Sequence, residues 1–152
     1  MAPLKILIRI DQQRLYLCRG DEVLDSYPIS SSRFGLGFEP GSFKTPTGRF
    51  EIAEKIGGDQ PANTVFRGRR PLEGNWDWST EPDLITARIL WLNGLDSENA
   101  NTKDRYIYIH GTNQDASLSR PASHGCIRMA SADIVQLFGQ VEPGTEVVIR
   151  KS

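Results

Sequence analysis

The sequence predicts a mainly β domain carrying one short helix, and three observations support this. Residues 4–10 alternate, placing Ile6, Ile8 and Ile10 on one side, as a strand with a single buried face does. The strand-like runs that follow are joined by turns too short for the crossovers of parallel βαβ units. Helical periodicity with start and stop signals is found over 132–138, with Ser131 as the expected N-cap, Ile134, Leu137 and Phe138 on one face and Gly139 as the stop.

Taken in order, 4–10, 15–18 and 23–30 form an antiparallel meander turning at Asp11, Gln12 and Gln13 and again at Gly20, Asp21 and Glu22. Residues 31–48 are punctuated by Gly35, Gly37, Pro40, Gly41, Pro46 and Gly48, so they read as a loop, either a plain surface connection or the border of a groove. A strand over 50–56 follows. The irregular stretch 57–83 is long for a compact domain, and Trp76 and Trp78 within it would be unfavourable in water. A folded flap is the expectation there, with Arg67, Arg69 and Arg70 mainly paired to Glu73, Asp77 and Glu81. Residues 84–92 suit a central strand packed on both faces, in which Arg88 needs a partner or points into a site. Residues 94–103 read as a polar loop, 105–109 as a strand of high β preference, and 145–149 as a closing strand.

At 152 residues the chain fits a single domain over 1–152, able to bury roughly two thirds of its unfolded surface. Lys plus Arg number 18 against 19 for Asp plus Glu, a formal charge of −1, which gives no electrostatic reason for a nucleic-acid or anionic-membrane partner. Lys5, Arg9 and Asp11 interrupt the first apolar run, whereas a secretory signal needs about 7–15 unbroken apolar residues. A cytoplasmic protein is therefore expected, or a periplasmic one if a leader has been trimmed. A monomer is expected too.

Both histidines and one of the two cysteines fall within a short span, His110 to Cys126. A cysteine attacks carbonyls as its thiolate and needs a neighbour to take its proton, work suited to a histidine near neutral pH. His124 stands two residues before Cys126, and residues two apart in extended backbone share a side. His110 ends the expected 105–109 strand, where a side chain is held firmly yet exposed. Gly125 allows a sharp turn, and the N–H groups of Gly125 and Cys126 are candidate oxyanion donors. Pro121 stiffens the approach to this turn. Cys18 lies within a strand-like run and reads as a buried apolar residue rather than a disulfide partner.

His110, Gly111 and Thr112, followed by Ser123, His124, Gly125, Cys126, Ile127 and Arg128, resemble the signature of the L,D-transpeptidase catalytic domain, or YkuD, family. The likeness extends to Thr45, Pro46, Thr47 and Gly48 before a strand, and it covers nearly the whole chain. The resemblance implies a sandwich-like β fold and peptidoglycan stem peptides or muropeptides as substrate, with no cofactor. It implies that Cys126 is the nucleophile and His110 the base, oriented through its other ring nitrogen by a carbonyl such as that of Gly111. His124 would polarise the intermediate. Arg128 would bind a substrate carboxylate, with Ser123 and Thr112 also on the substrate side.

Competing readings are weaker. Zinc needs four ligands in a closed site, and Asp104 or Asp115 would have to complete the set without any Cys-x-x-Cys or His-x-x-x-His spacing. In a papain-like enzyme the cysteine precedes its histidine and starts a helix, the reverse of the order here. A non-catalytic module binding stem peptides would not require both thiol and imidazole. Within the family reading, water as acceptor gives an L,D-carboxypeptidase and an amine acceptor gives a transpeptidase. The expected compartment favours water.

Overall fold

The computed structural model describes residues 2–73 and 84–152. The alternation read at the N-terminus becomes β1 (Leu4–Arg9), with Ile6 and Ile8 fully buried. It pairs antiparallel with β2 (Arg14–Arg19), which pairs antiparallel with β3 (Glu22–Ser30), so the expected meander is present. β4 (Gly48–Ile56) follows the glycine-rich loop, and β5 (Val65–Arg67) with β6 (Arg70–Pro71) forms a small hairpin. Trp76, Trp78, Asp77 and Glu81 lie outside the described residues, and with them that part of the expected flap and of the expected arginine pairing.

β7 (Ile85–Gly94) pairs with β4, β5 and β8 (Tyr108–Thr112), the central position its apolar composition predicts. β8 pairs in parallel with β9 (Ile127–Ala130), and β10 (Glu146–Arg150) in parallel with β1. The order β4-β10-β1-β2-β3-β9-β8-β7 closes through the β4–β7 pairing, with β5 and β6 appended beyond β7. The layers of the expected sandwich are thus continuous. Ile6, Leu17, Ile29, Phe50, Leu92 and Ile149 are among the buried side chains that fill the space enclosed.

Two strand expectations are corrected. The 105–109 strand starts later and runs further, over Tyr108–Thr112, because Tyr106 adopts φ +57 and cannot continue a ladder. His110 is therefore inside a strand with neighbours on both sides. In β7 the register shifts between Thr86 and Ile89, with Ala87 at φ +68, which breaks strict alternation. Arg88 is consequently half-buried and directed at the helix, donating to the Ala87 carbonyl with its guanidinium 5.6 Å from the Phe138 ring centroid. The polar loop after β7 is organised around fully buried Asn99, whose amide donates to the Thr47 and Arg49 carbonyls.

The helix, α1 (Ser131–Phe138), buries Ile134 and Leu137 as expected, but Ser131 is its first residue and not its cap. β9 runs straight into the helix with no intervening turn, so the Ser131 hydroxyl instead meets the Thr86 hydroxyl at 2.7 Å. Gly139 closes the helix in right-handed conformation at φ −69, its N–H reaching the Val135 carbonyl.

Candidate active site

The parallel β8–β9 pairing builds the site. Parallel neighbours require a long connection, and here residues 113–126 make the return, including a 3-10 turn at Asp115–Ser117. The register sets His110 opposite Arg128 and Ile109 opposite Ile127, which leaves Cys126 immediately before β9 and level with Tyr108. The Tyr108 N–H donates to the Cys126 sulfur at 3.3 Å, and the thiol donates to the Tyr106 carbonyl at 3.4 Å. Cys126 is half-buried and packs against the small cluster of Phe66, Ile89 and Tyr108. Cys18, by contrast, is buried and free, and burial raises its pKa. An inert thiol is the consequence.

His110 is 3% exposed, and its Nδ1 lies 2.6 Å from the Gly111 carbonyl. A carbonyl only accepts, so Nδ1 carries a proton, and in the neutral ring this leaves Nε2 as the basic nitrogen, the tautomer a general base needs. Gly111 matters twice, since a Cβ there would stand 2.5 Å from the Thr86 carbonyl oxygen. Cys126, His110, His124, Ser123 and Arg128 line one cavity of about 120 Å³, together with Ile85. Of the expected site residues, Thr112 does not join them. It is 1% exposed, and its hydroxyl accepts from the Gln114 N–H, which makes it part of the framework.

Ser123 is also a framework residue. At 2% exposure, its hydroxyl donates to the Cys126 carbonyl at 2.6 Å and accepts from the Gly125 N–H at 3.2 Å, bracing the turn that carries the thiol. The Gly125 N–H, expected as an oxyanion donor, is therefore committed within the protein. Gly125 itself sits at φ +124, a conformation L side chains rarely adopt. Arg128 is 4% exposed and donates to the Ser117 hydroxyl at 3.4 Å while lining the cavity. His124 is exposed and packs on Phe34 and Phe43, with ring centroids 5.7 Å from each.

The 31–48 loop borders the site rather than passing over it. The Thr45 hydroxyl donates to the Gly125 carbonyl at 3.0 Å, the Arg33 N–H reaches the Ser123 carbonyl, and Ser32 bridges to Ser123. Two residues here escaped the sequence reading as parts of the site. Arg105 fastens the loop by donating to the Gly37 and Lys44 carbonyls, and its pKa is lowered by burial and partly restored by attraction to Cys126. Tyr108 has its hydroxyl pKa raised by burial, against the opposing effect of the hydrogen bond from Arg69. Nothing local in the sequence signals either role, because the partners come from distant segments. A second cavity, of about 290 Å³, is also bordered by His124 and is lined by Phe43, Asp104, Arg105 and Tyr106 among others.

The family model described as the L,D-transpeptidase catalytic domain, YkuD, matches residues 3–149. The chain belongs to this family. It is 34% identical over 106 residues to the putative L,D-transpeptidase YqjB of Bacillus subtilis (strain 168), covering 69% of this chain and 51% of that protein. It is 32% identical over 152 residues to the probable L,D-transpeptidase YcfS of Escherichia coli (strain K12), covering 95% of this chain and 43% of that protein. The chain thus spans about half the length of these relatives. An L,D-transpeptidase from Mycobacterium smegmatis shares the fold at a TM-score of 0.63 and 18% identity, covering 98% of this chain and 59% of that one. As a member of this family, the chain is an enzyme domain.

Proposed function

We propose that this domain cleaves the bond between the L-centre of diaminopimelate and the terminal D-alanine of a peptidoglycan stem tetrapeptide through a Cys126 thioester. One observation carries the reading: a thiol held between two backbone groups of the 106–108 segment shares a cavity with a histidine of fixed tautomer. In the first step the Cys126 proton passes to Nε2 of His110 and the sulfur bonds to the scissile carbonyl carbon. The oxyanion is received by the Cys126 N–H and by His124. The carbon–nitrogen bond then breaks, the imidazolium returns its proton to the departing D-alanine amine, and the acyl group remains on sulfur. Arg128 holds a substrate carboxylate.

Water as second acceptor is the favoured reading, making the domain an L,D-carboxypeptidase. The cavity of about 120 Å³ beside sulfur, His110 and Arg128 has room for a water next to the acyl carbon and polar groups to hold it. His110 takes a proton from that water, the carbon–sulfur bond breaks, and the thiol regains its proton as tripeptide leaves. Soluble peptides returned from the wall are the substrates that suit this reaction, in the cytoplasm, and the two free cysteines are compatible with a reducing compartment. Transpeptidation to an amine acceptor is the second reading, favoured by the 290 Å³ cavity that His124 also borders. Incubation with a disaccharide tetrapeptide and mass analysis separates them. Tripeptide with free D-alanine supports hydrolysis, cross-linked dimers support transpeptidation, and absence of turnover contradicts both.

A further inference from the structure

We propose that Arg69 is a positioning residue for the Cys126 thiol, acting through Tyr106 and Tyr108. This rests on the reading of Cys126 as nucleophile. Arg69 occupies the turn between β5 and β6, where Gly68 and Arg69 both have positive φ, +53 and +72. Two consecutive positive φ values are the mark of a type I′ hairpin turn, in which Gly or Asn is the usual second residue and a long side chain is disfavoured. Arginine at that position therefore needs a compensating interaction, and its side chain makes three. The guanidinium lies 4.6 Å from the Trp91 ring centroid and 5.2 Å from that of Tyr106, and its Nη1 donates to the Tyr108 hydroxyl at 3.1 Å. Neighbouring Arg67 and Arg70 are exposed, whereas Arg69 is half-buried.

The residues that Arg69 grips are the ones that hold the sulfur. Tyr106 supplies the carbonyl that accepts from the thiol, and Tyr108 supplies the N–H that donates to it. Tyr106 is itself a bulky residue at φ +57, an uncommon conformation that persists only where surroundings enforce it. Its side chain is 54% exposed, so core packing does not enforce it. What covers its ring is Trp91, stacked at 5.9 Å and 26°, and the Arg69 guanidinium. Trp91 meets Tyr108 edge-on at 5.8 Å, so one cation, over two rings and bonded to the hydroxyl of a third, braces both residues that supply backbone groups at the thiol. Lys103, paired with Glu54 at 3.5 Å, lies 4.8 Å from the Trp91 centroid, whereas the Tyr108 hydroxyl accepts from Arg69.

The direction of the effect follows from bond strength. An N–H donating to a thiolate is charge-assisted and roughly twice as strong as a neutral bond, so loosening the pair penalises the thiolate more than the thiol. The test measures iodoacetamide alkylation of Cys126, resolved by mass spectrometry, across pH in wild type, Arg69→Met, Arg69→Lys and the exposed control Arg70→Met. The other ionisable groups around the sulfur, His110 on β8, His124, Arg105, Tyr108 and Arg128 on β9, together with Lys103 and Glu54 beside Trp91, are unchanged in all four. Arg69→Met is expected to alkylate roughly tenfold more slowly at pH 7, with its midpoint about one pH unit higher. Arg69→Lys, which keeps charge but not the planar fork, recovers part of the rate. Arg70→Met matches wild type. Should Arg69→Met fail to fold, Tyr108→Phe removes only the hydroxyl that Arg69 holds and is expected to shift the profile the same way by less. A wild-type rate and midpoint in the folded Arg69 variant, or in Tyr108→Phe where that is the comparison, would overturn the proposal. Alkylation needs no substrate, so that failure is distinct from a failure of the proposed reaction.

Discussion

Replacing Ser123 by alanine probes the turn that presents the nucleophile. The hydroxyl makes two hydrogen bonds at 2% exposure, to the Cys126 carbonyl at 2.6 Å and from the Gly125 N–H at 3.2 Å. Alanine removes both and leaves a carbonyl and an N–H without that partner in a buried setting. A buried polar group stripped of its partner costs about 1–3 kcal/mol; with some relaxation of the turn, the pair sums to about 2–4 kcal/mol. For a chain of this size 1 kcal/mol corresponds to roughly 2–4 °C in Tm, so thermal unfolding should show a loss of roughly 5–15 °C. The thiol then loses its fixed place. Because a displacement of about 1 Å can cost roughly 100-fold, kcat/KM on disaccharide tetrapeptide should fall by about 10- to 100-fold. A Ser123→Ala variant with wild-type Tm and a wild-type kcat/KM would refute the assignment of Ser123 as the brace.

Other perturbations have equally definite outcomes. His110→Gln retains volume but removes the proton acceptor, and steady-state turnover should fall by about 10²–10⁴-fold while circular dichroism stays native. Gly111→Ala would place a Cβ 2.5 Å from the Thr86 carbonyl oxygen, forcing β7 and β8 apart. Overpacking of that kind costs about 1–3 kcal/mol, to be read as a lower Tm, and activity should fall with it as the Gly111 carbonyl leaves His110. Tyr27 has its pKa pushed up to about 12 by burial, then by its hydrogen bond to Asp25. A raised pKa in the folded state means the contribution is complete below the unfolded value near 10 and is lost as pH rises toward about 12. Urea titrations should therefore show wild type losing stability over that interval more steeply than Tyr27→Phe, and parallel curves would contradict it.

Much of the fold was legible because burial on one face of a strand imposes a period of two. Ile6 and Ile8 in β1, and Leu15 and Leu17 in β2, are fully buried where alternation puts them. The same rule fails in β7, where the irregularity at Ala87 reverses the phase and takes Arg88 to Phe138 on the helix. It fails again before β8, where the β preference of Tyr106 is overridden by a left-handed backbone whose ring packs on Trp91. That conformation is set by partners distant in sequence, so composition could not show it.

The candidate site was legible in the residues that do chemistry and less so in those that hold them. Cys126, His110, His124 and Arg128 meet in one cavity, and the Gly111 carbonyl orients His110 as the family resemblance implies. Thr112 and Ser123 stand in the same motif, yet one braces β8 and the other braces the cysteine turn, since motif membership does not say which way a side chain points. The Gly125 N–H was read as an oxyanion donor from its place beside the thiol, but Ser123 occupies it. Arg69 carried no signal, as its three aromatic partners come from β7, the segment before β8 and β8 itself.

The central claim is a covalent acyl-enzyme at the half-buried sulfur beside His110. Quenching a brief reaction with disaccharide tetrapeptide in acid and mapping the adduct by peptide mass spectrometry tests it most directly. The account predicts the substrate mass less D-alanine, attached at Cys126 and missing from Cys126→Ala, which should also have lost all turnover. An adduct on Cys18, or undiminished D-alanine release by Cys126→Ala, would contradict it.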